Sequence, residues 1–361
     1  MPFLIALAFG LLLTPPAIRA ARAAGLVDRP GDPLKIHAQP VPVLGGVSVV
    51  AATFAAVAVL HGVVSAAAMA GVSVALALGL LDDVRPLGTR VHLLLQLVAG
   101  VVLAIGGMEV EPLGPLGGVG AVVLTLVCMN AVNLVDGQDG LAGGLTAIAA
   151  VALAAVVAIP GGDPNALEIG LALAGSLTAF LAWNRPPARV FLGNGGAYAV
   201  GVLLAVLAAT AAAQNGWRGL LAGLVCLGIF LFELVFTVAR RVRSRGLAVG
   251  DRQHSYDLVS LAMGGRGRAT IAFLALGALA GVLAIAIASI PFLFGATAAG
   301  VACAGAAAWG RRLWARRAGV TAPAARIGYA SPSPSGGRTI VPGDPAVHRA
   351  STVAGRELKR A

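Results

Sequence analysis

The polar residues best placed to do chemistry in this chain concentrate in one short stretch, Asn130–Gly144. This stretch places two asparagines and two aspartates between two long apolar segments. Carboxylates at membrane depth are costly, so they usually mark a functional site where protein or water can solvate them. Asp136 and Asp139 are each followed by glycine, a pairing typical of turns. The stretch therefore predicts a functional hinge between two helices rather than one continuous helix.

A second acidic feature is the pair Asp82-Asp83, which follows another apolar segment. Adjacent carboxylates repel each other unless a cation or a proton intervenes. Such a pair suits a divalent metal ion or general-base catalysis. A polar cap at the membrane interface is an equally good interpretation of the pair by itself.

Three further loops carry residues that could contact a phosphorylated substrate. In the first, Lys35 and His37 could meet a phosphate, although their spacing alone favours a solvated connector. In the second, the glycines at 193, 195 and 196 stand where a helix begins, and free N–H groups at a helix start attract phosphate. Phe191 beside them could stack on a base, or could be an interfacial aromatic residue.

The third of these loops joins a run of arginines, from Arg240 to Arg245, to Arg252 and His254. These residues could grip a diphosphate, or could serve only to orient the chain in a membrane. Glu233 precedes them within an apolar segment, where a carboxylate requires a partner or a proton. His61 and His92 stand singly near the ends of apolar segments, and we expect both to be interfacial histidines.

The composition identifies an integral membrane protein, because 58% of the 361 residues are hydrophobic, only 11% are charged and the mean hydropathy is +0.90. A membrane-spanning helix needs about 20 mostly apolar residues. The predicted fold is an all-α polytopic membrane protein with 10–11 transmembrane helices. Eleven segments qualify: residues 2–18, 43–61, 63–81, 91–107, 117–134, 140–159, 167–184, 195–213, 218–239, 269–290 and 292–310.

The distribution of basic residues predicts the orientation of these segments. With the N-terminus outside, all of the 26 lysines and arginines except Arg218 fall on the cytosolic side. The net charge of +11 is therefore a signal of topology and gives no reason to expect a nucleic-acid partner. Residues 1–317 form one predicted membrane domain, and residues 318–361, rich in Pro, Gly, Ser and Arg, are predicted to be a flexible cytosolic tail.

In this orientation the acidic and amide-rich loops all lie on the cytosolic side. A transporter would more naturally place its ionisable groups at mid-membrane on broken helices. Groups at the inner boundary could instead bring a soluble phosphorylated substrate to a lipid substrate. This arrangement favours an enzyme of the plasma membrane whose active site faces the cytoplasm.

The motifs resemble the bacterial polyprenyl-phosphate N-acetylhexosamine-1-phosphate transferases, from about Asp28 to Leu258. The resemblance rests on the acidic pair, on the pattern that begins at Asn130, and on the stretch from Asn184 to Gly193. It implies a Mg²⁺-dependent enzyme, with Mn²⁺ as a possible substitute. Its substrates would be a UDP-sugar and polyprenyl phosphate, and its products a polyprenyl-diphospho-sugar and UMP. A homodimer is compatible with the sequence.

The resemblance also implies roles for individual residues. Asp82, Asp83 and His254 would be catalytic, with Asp82 activating the lipid phosphate. The metal ligands would be Asp83, Asp139 and Asn194. The residues that would bind the nucleotide sugar are Asn133, Asp136, Asp139, Asn184, Phe191, Lys35, His37 and Arg252.

Two departures from the family pattern bear on activity. Asn194 stands where the family has a metal-binding aspartate, so one negative charge is lost. The family's histidine-rich loop is reduced to His254, with Tyr256 and Asp257 following. Asp257 would restore a carboxylate if it faced the same site. The alternatives to an active transferase are a catalytically weakened paralogue that binds lipid or assists assembly, and a transporter or channel.

Overall fold

The computed structural model describes residues 1–31, 35, 37–159, 161–244 and 252–317, and this part of the chain is mainly helical. Its helices are α1 (Pro2–Ala23), α2 (Gly45–Val59), α3 (Ala66–Val84), α4 (Thr89–Ile105), α5 (Gly117–Val135), α6 (Leu141–Val157), α7 (Pro164–Asn184), α8 (Gly193–Cys226), α9 (Gly228–Ser244), α10 (Ser255–Ala262), α11 (Arg266–Ser289) and α12 (Phe292–Arg317). A 3-10 helix, Glu111–Leu116, precedes α5. The predicted tail, residues 318–361, lies outside the described residues.

The helices confirm an all-α, multi-pass membrane protein. Seven are long and apolar enough to cross a membrane, and three shorter apolar helices accompany them within the described residues. These ten correspond to ten of the eleven predicted segments. The long helices are Pro2–Ala23, Ala66–Val84, Glu111–Val135 (which includes the 3-10 turn), Pro164–Asn184, Gly193–Cys226, Arg266–Ser289 and Phe292–Ala315, and the shorter ones are Gly45–Val59, Arg90–Ile105 and Leu141–Val157.

The remaining predicted segment, residues 218–239, is not one continuous helix. The backbone of α8 breaks at Gly216, where φ is +57°, and the helix ends at Cys226. α9 then begins at Gly228 and carries Arg241 and Arg243 in its last turn. The predicted boundary between residues 213 and 218 contains the break at Gly216, so the sequence analysis misses only the end of α8 at Cys226.

Helix α8 lies at the centre of the bundle and packs against α2, α3, α5, α6 and α11. Most of its residues between Gly195 and Ala212 are buried. Small residues permit the close approach of its neighbours, as is common where membrane helices cross. A Cβ at Gly46 of α2 would lie 2.0 Å from the Cα atom of Gly196 in α8.

The candidate site lies where several helix ends meet. α3, α5 and α7 end there, and α6 and α8 begin there. A two-stranded antiparallel hairpin, β1 (Val27–Asp28) with β2 (Val41–Pro42), adds the first loop to the same end. The backbone N–H of Phe191 donates to the carbonyl oxygen of Pro42 at 2.8 Å, which joins this hairpin to the segment before α8.

Candidate active site

A cavity of about 580 Å³ opens at this end of the bundle. It brings together ten of the residues that the sequence predicts for the site: Lys35, His37, Asp83, Asn133, Asp136, Asp139, Asn184, Phe191, Asn194 and Arg252. Asp28, Arg29 and Gln138 also line it. Segments more than 200 residues apart in the sequence therefore form one wall that carries carboxylates, amides, cations and an aromatic ring.

The loop between α5 and α6, residues 136–140, forms one side of this cavity. Gly140 has a φ of +75°, which glycine adopts without strain. Its N–H donates to Oδ1 of Asn184 at 2.9 Å, and Oδ2 of Asp139 accepts from the N–H of Ala188 at 2.9 Å. The Nδ2 group of Asn184 in turn donates to the carbonyl of Val190 at 2.9 Å. Asn184 and Asp139 thus join the central loop to the segment before α8.

Side chains from α10 and the residues preceding it hold the same loop from another side. Nη1 of Arg252 donates to the carbonyl of Gly137 at 3.1 Å, and the Tyr256 hydroxyl donates to the carbonyl of Leu134 at 3.2 Å. The Ser260 hydroxyl donates to Oε1 of Gln138 at 3.0 Å. The loop is therefore fixed by hydrogen bonds on both sides before any substrate binds.

The two carboxylates of the acidic pair face different surroundings. Asp83 lines the cavity and accepts from the N–H groups of Asn194 at 3.1 Å and Gly195 at 3.4 Å, at the start of α8. Asp82 is buried and is not part of the cavity wall. Its Oδ1 accepts from the N–H of Leu87 at 2.7 Å, and its Oδ2 accepts from Nδ2 of Asn194 at 2.7 Å.

Negative charge accumulates on the cavity wall. Burial raises the pKa of Asp136 well above its usual range, and the neighbouring carboxylates of Asp83 and Asp139 raise it further. A cation beside these three groups would favour their ionised forms. The wall therefore has the electrostatic character of a cation site.

The first loop contributes basic side chains to the cavity wall. Nζ of Lys35 lies 2.5 Å from Oδ1 of Asp28, and Nε2 of His37 lies 2.9 Å from Oδ2 of the same residue. The imidazole of His37 also meets the ring of Phe191 edge-on, with 5.4 Å between centroids. Asp28 therefore orients both basic side chains, a role that the sequence did not reveal because Asp28 stands seven residues before Lys35 in a loop with no helical period.

Comparison with known proteins supports the family resemblance that the sequence motifs indicated. A sequence model of glycosyl transferase family 4 matches residues 63–212, which include the acidic pair, the central loop and the start of α8. The chain is 27% identical over 269 residues to a probable undecaprenyl-phosphate N-acetylglucosaminyl 1-phosphate transferase of Bacillus subtilis (strain 168). That match covers 70% of this chain and 74% of the relative.

Two shorter matches involve related enzymes. A phospho-N-acetylmuramoyl-pentapeptide-transferase of Synechococcus sp. is 34% identical over 105 residues, or 27% of this chain and 28% of the relative. An undecaprenyl-phosphate alpha-N-acetylglucosaminyl 1-phosphate transferase of Thermotoga maritima is 34% identical over 102 residues, or 28% of this chain and 34% of the relative. These matches show that the chain is similar to undecaprenyl-phosphate N-acetylglucosaminyl 1-phosphate transferases and to phospho-N-acetylmuramoyl-pentapeptide-transferases.

In this chain His254 lies apart from the cavity wall. It is buried, and its Nδ1 lies 2.8 Å from Oε1 of Glu233. Glu233 also accepts from the Thr237 hydroxyl at 2.8 Å and from the N–H of Ser255 at 3.1 Å. The expectation that Glu233 has a partner is confirmed. The geometry gives His254 a place at the start of α10 and does not support direct contact with substrate.

Asp257 does not restore a carboxylate to the cavity wall. Its Oδ2 accepts from the backbone N–H of His254 at 3.4 Å, which completes a capping box at the start of α10. Its Oδ1 lies 3.7 Å from Nη1 of Arg252. Burial raises the pKa of Asp257, against the opposing effect of Arg252 and His254. Its place is that of a helix cap that also orients Arg252.

His92 is not the simple interfacial residue that the sequence suggests. Its Nε2 lies 2.7 Å from the Tyr198 hydroxyl and 3.5 Å from Oδ2 of Asp82. No sequence signal marks this contact, because His92 and Tyr198 are 106 residues apart and belong to different helices.

The residues of the cavity fit a magnesium ion that shares its ligands with substrate. Among the described residues, no three His, Cys, Asp or Glu side chains could hold a metal ion by themselves. Magnesium typically binds to one or two carboxylates, several waters and substrate phosphates. Asp83, Asp139 and Asn194 all line the cavity and offer oxygen atoms of this kind. The Nδ2 group of Asn194 is engaged by Asp82, so its amide oxygen is the atom suited to a cation.

Proposed function

We propose that the chain transfers a sugar-1-phosphate, most simply N-acetylhexosamine-1-phosphate, from a UDP-sugar to polyprenyl phosphate. An oxygen of the lipid phosphate attacks the sugar-linked phosphorus. The bond between that phosphorus and the bridging oxygen breaks, and UMP leaves with that oxygen. The observation that carries the proposal is the single cavity, in which acidic, amide, basic and aromatic side chains from five segments meet at one end of a membrane bundle.

Each part of the wall suits one part of such a donor. Lys35 and Arg252 would bind the diphosphate, and Phe191, with His37 against its edge, would stack on the base. Asn133, Asn184 and Asp136 would contact the nucleotide sugar. A Mg²⁺ ion at Asp83, Asp139 and Asn194 would supply charge neutralisation for the diphosphate. Phosphoryl transfer depends mainly on such positioning and charge stabilisation.

Asp82 would act on the acceptor rather than on the donor. It adjoins Asp83 in the sequence, but its carboxylate is directed behind the cavity wall. We assign to it the activation of the lipid phosphate, which has to approach from the membrane. In this arrangement two adjacent residues serve different substrates, Asp82 the lipid acceptor and Asp83 the nucleotide-sugar donor.

The proposal includes the placement of the protein in the cell. Eleven membrane segments, an outside N-terminus and a cytosolic cavity would give the enzyme access to UDP-sugars and to lipid in the plasma membrane. The distribution of lysines and arginines supports this orientation. The product would serve cell-wall or surface-glycan synthesis.

The test is UMP release by detergent-solubilised protein supplied with Mg²⁺, undecaprenyl phosphate and a panel of UDP-N-acetylhexosamines. We expect Asp82→Asn to lower the rate about 10²- to 10⁴-fold, the usual contribution of a general base. Glu111→Gln, which removes an exposed carboxylate remote from the cavity, is the matched control and should leave the rate unchanged.

Other outcomes would assign the chain to another class. A weakened paralogue would bind the lipid phosphate without releasing UMP from any donor. A transporter would move solute across vesicles with no UMP formed. A rate that is the same in Asp82→Asn and in the unaltered protein would refute the assignment of Asp82.

A further inference from the structure

Four side chains meet beside the cavity, where α3, α4 and α8 pack together. Asp82 comes from α3, His92 from α4, and Asn194 and Tyr198 from α8. Nε2 of His92 lies 2.7 Å from the Tyr198 hydroxyl oxygen, and the two rings meet edge-on with 5.3 Å between centroids. The same Nε2 lies 3.5 Å from Oδ2 of Asp82, to which Nδ2 of Asn194 donates at 2.7 Å.

These contacts determine where the Asp82 carboxylate points. Oδ1 accepts a hydrogen bond from the backbone N–H of Leu87. Oδ2 is therefore the oxygen of this carboxylate that side chains hold in place. Two groups on two different helices surround Oδ2, the Asn194 amide and the His92 imidazole. Side-chain partners of this kind lock the rotamer of the group that they surround.

The imidazole is itself held by a partner. Its other contact, the Tyr198 hydroxyl, belongs to a residue of α8 that is almost fully buried. The side chain of His92 is 20% exposed, so the imidazole sits at the border between the bundle and its surroundings. Without Tyr198 the imidazole could turn outward, and Oδ2 of Asp82 would keep only the Asn194 amide.

On the basis of the proposed function, we propose that His92 and Tyr198 are positioning residues for the transfer. Tyr198 fixes the imidazole of His92, and the imidazole fixes Oδ2 of Asp82 in the direction from which the acceptor phosphate approaches. Neither residue lines the cavity that would take the UDP-sugar, although the Tyr198 hydroxyl also accepts from Nδ2 of Asn133 on its wall at 3.5 Å. The effect of His92 should therefore fall on turnover and leave donor binding nearly unchanged.

The kinetic test compares His92→Gln, Tyr198→Phe and the double variant in the UMP-release assay. We expect each single variant to lower kcat about 10- to 100-fold, as is typical when a group that orients an active-site residue is lost. In His92→Gln the KM for the UDP-sugar should change less than about twofold, because the imidazole contacts Tyr198 and Asp82, neither of which is assigned to the donor. The double variant should be no slower than the slower single variant, because both changes remove one chain of contacts.

A matched control removes a buried hydrogen bond elsewhere. The hydroxyls of Thr53 and Ser176 lie 2.8 Å apart between α2 and α7, away from the cavity. Thr53→Val should lower the melting temperature to a similar extent and keep the unaltered kcat. A kcat that follows the melting temperature across all variants, Thr53→Val included, would reduce His92 and Tyr198 to structural residues.

A spectroscopic arm tests the contacts without relying on activity. In protein labelled with ¹⁵N at histidine, the ring nitrogens of His92 should shift in Tyr198→Phe and in Asp82→Asn, and should stay in place in Thr53→Val. Unshifted ring nitrogens in the first two variants would overturn the proposal. Unaltered protein that releases no UMP would refute the proposed function, whereas active protein with normal kcat in His92→Gln and Tyr198→Phe would refute only the positioning role.

Discussion

Asn194 forms hydrogen bonds to both carboxylates of the acidic pair. Its Nδ2 group donates to Asp82 at 2.7 Å, while its backbone N–H donates to Asp83 at 3.1 Å. Because the side chain of Asn194 is a neutral hydrogen-bond donor, it binds Asp82 without repelling it. An aspartate there would put a carboxylate oxygen beside Oδ2 of Asp82, and the two charges would need a cation or a proton between them.

Asn194→Asp should therefore make the stability of the protein depend on magnesium. Two charges about 4 Å apart repel by about 4 kcal/mol at an effective dielectric constant of about 20, an upper bound that proton uptake would reduce. We expect a lower melting temperature than that of the unaltered protein in the presence of EDTA, and a larger rise on Mg²⁺ titration, because a cation that binds the folded form stabilises it.

The control for this prediction is Asn165→Asp. This change also introduces a carboxylate, but at a residue whose Oδ1 accepts from the N–H of Val63, outside the cavity wall. Its melting temperature should respond to Mg²⁺ as that of the unaltered protein does. Equal Mg²⁺ responses in Asn194→Asp and Asn165→Asp would contradict the placement of Asn194 between the two carboxylates and a cation.

Sequence motifs located most of the candidate site at the residue scale, because its residues stand in short, recognisable patterns. Asn133, Asp136 and Asp139 all reach the cavity as their spacing and the family resemblance suggested. His92 and Asp28 were missed, since each acts through a partner in another segment or loop. His254 was assigned by resemblance to catalysis, whereas the structure gives it Glu233 as a partner within the fold.

At the scale of helices, the contact between α3 and α8 decides whether the acidic pair meets the start of α8. Gly79, one turn before Asp83, packs on the backbone of α8. A Cβ at Gly79 would lie 2.3 Å from the backbone nitrogen of Gly195. That same N–H donates to Oδ2 of Asp83. The helices can therefore only approach this closely because residue 79 has no side chain.

Gly79→Ala should separate α3 from α8 and loosen the hydrogen bonds to Asp83. Because the obstructing atoms are backbone, we expect a loss of about 1–3 kcal/mol in the free energy of unfolding, the usual effect of overpacking. Turnover should fall as well. The measurements are chemical denaturation in detergent and UMP release.

Gly118→Ala is the matched control for this prediction, since no atom lies within 4 Å of a Cβ at Gly118 in α5. Alanine in an accessible helical position is as stable as glycine or more so. A Gly79→Ala protein as stable and active as Gly118→Ala would show that the α3–α8 contact does not constrain the site.

Hydropathy predicted the helices well because each needs only a long apolar segment. It failed within residues 218–239, because a sliding average of hydropathy does not register the short interruption between the end of α8 at Cys226 and the start of α9 at Gly228. The sequence also could not identify which of the 49 glycines lie at helix contacts. Those positions depend on how distant segments pack, as the pairs Gly46–Gly196 and Gly79–Gly195 illustrate.

At the scale of the whole molecule, the fold gathers the ends of alternate helices around the start of α8. The chain must cross the bundle between successive polar loops, so residues that lie far apart in the sequence reach one end. This explains why the basic first loop, the acidic pair and the central loop share a cavity. It also links function to topology, because a cavity at this end can use cytosolic UDP-sugars only if that end faces the cytosol.

The orientation can be measured with two exposed arginines, Arg185 and Arg218. Cys128, Cys226 and Cys303 are free thiols, so they would first be replaced with alanine. In intact cells, a membrane-impermeant maleimide should label Arg218→Cys and should reach Arg185→Cys only after the membrane is permeabilised. The reverse pattern would place the cavity outside the cell, where UDP-sugars are absent, and a nucleotide-sugar transferase could not work there. Labelling at both sites in intact cells would contradict the count of membrane crossings between residues 185 and 218, which the predicted topology fixes at one.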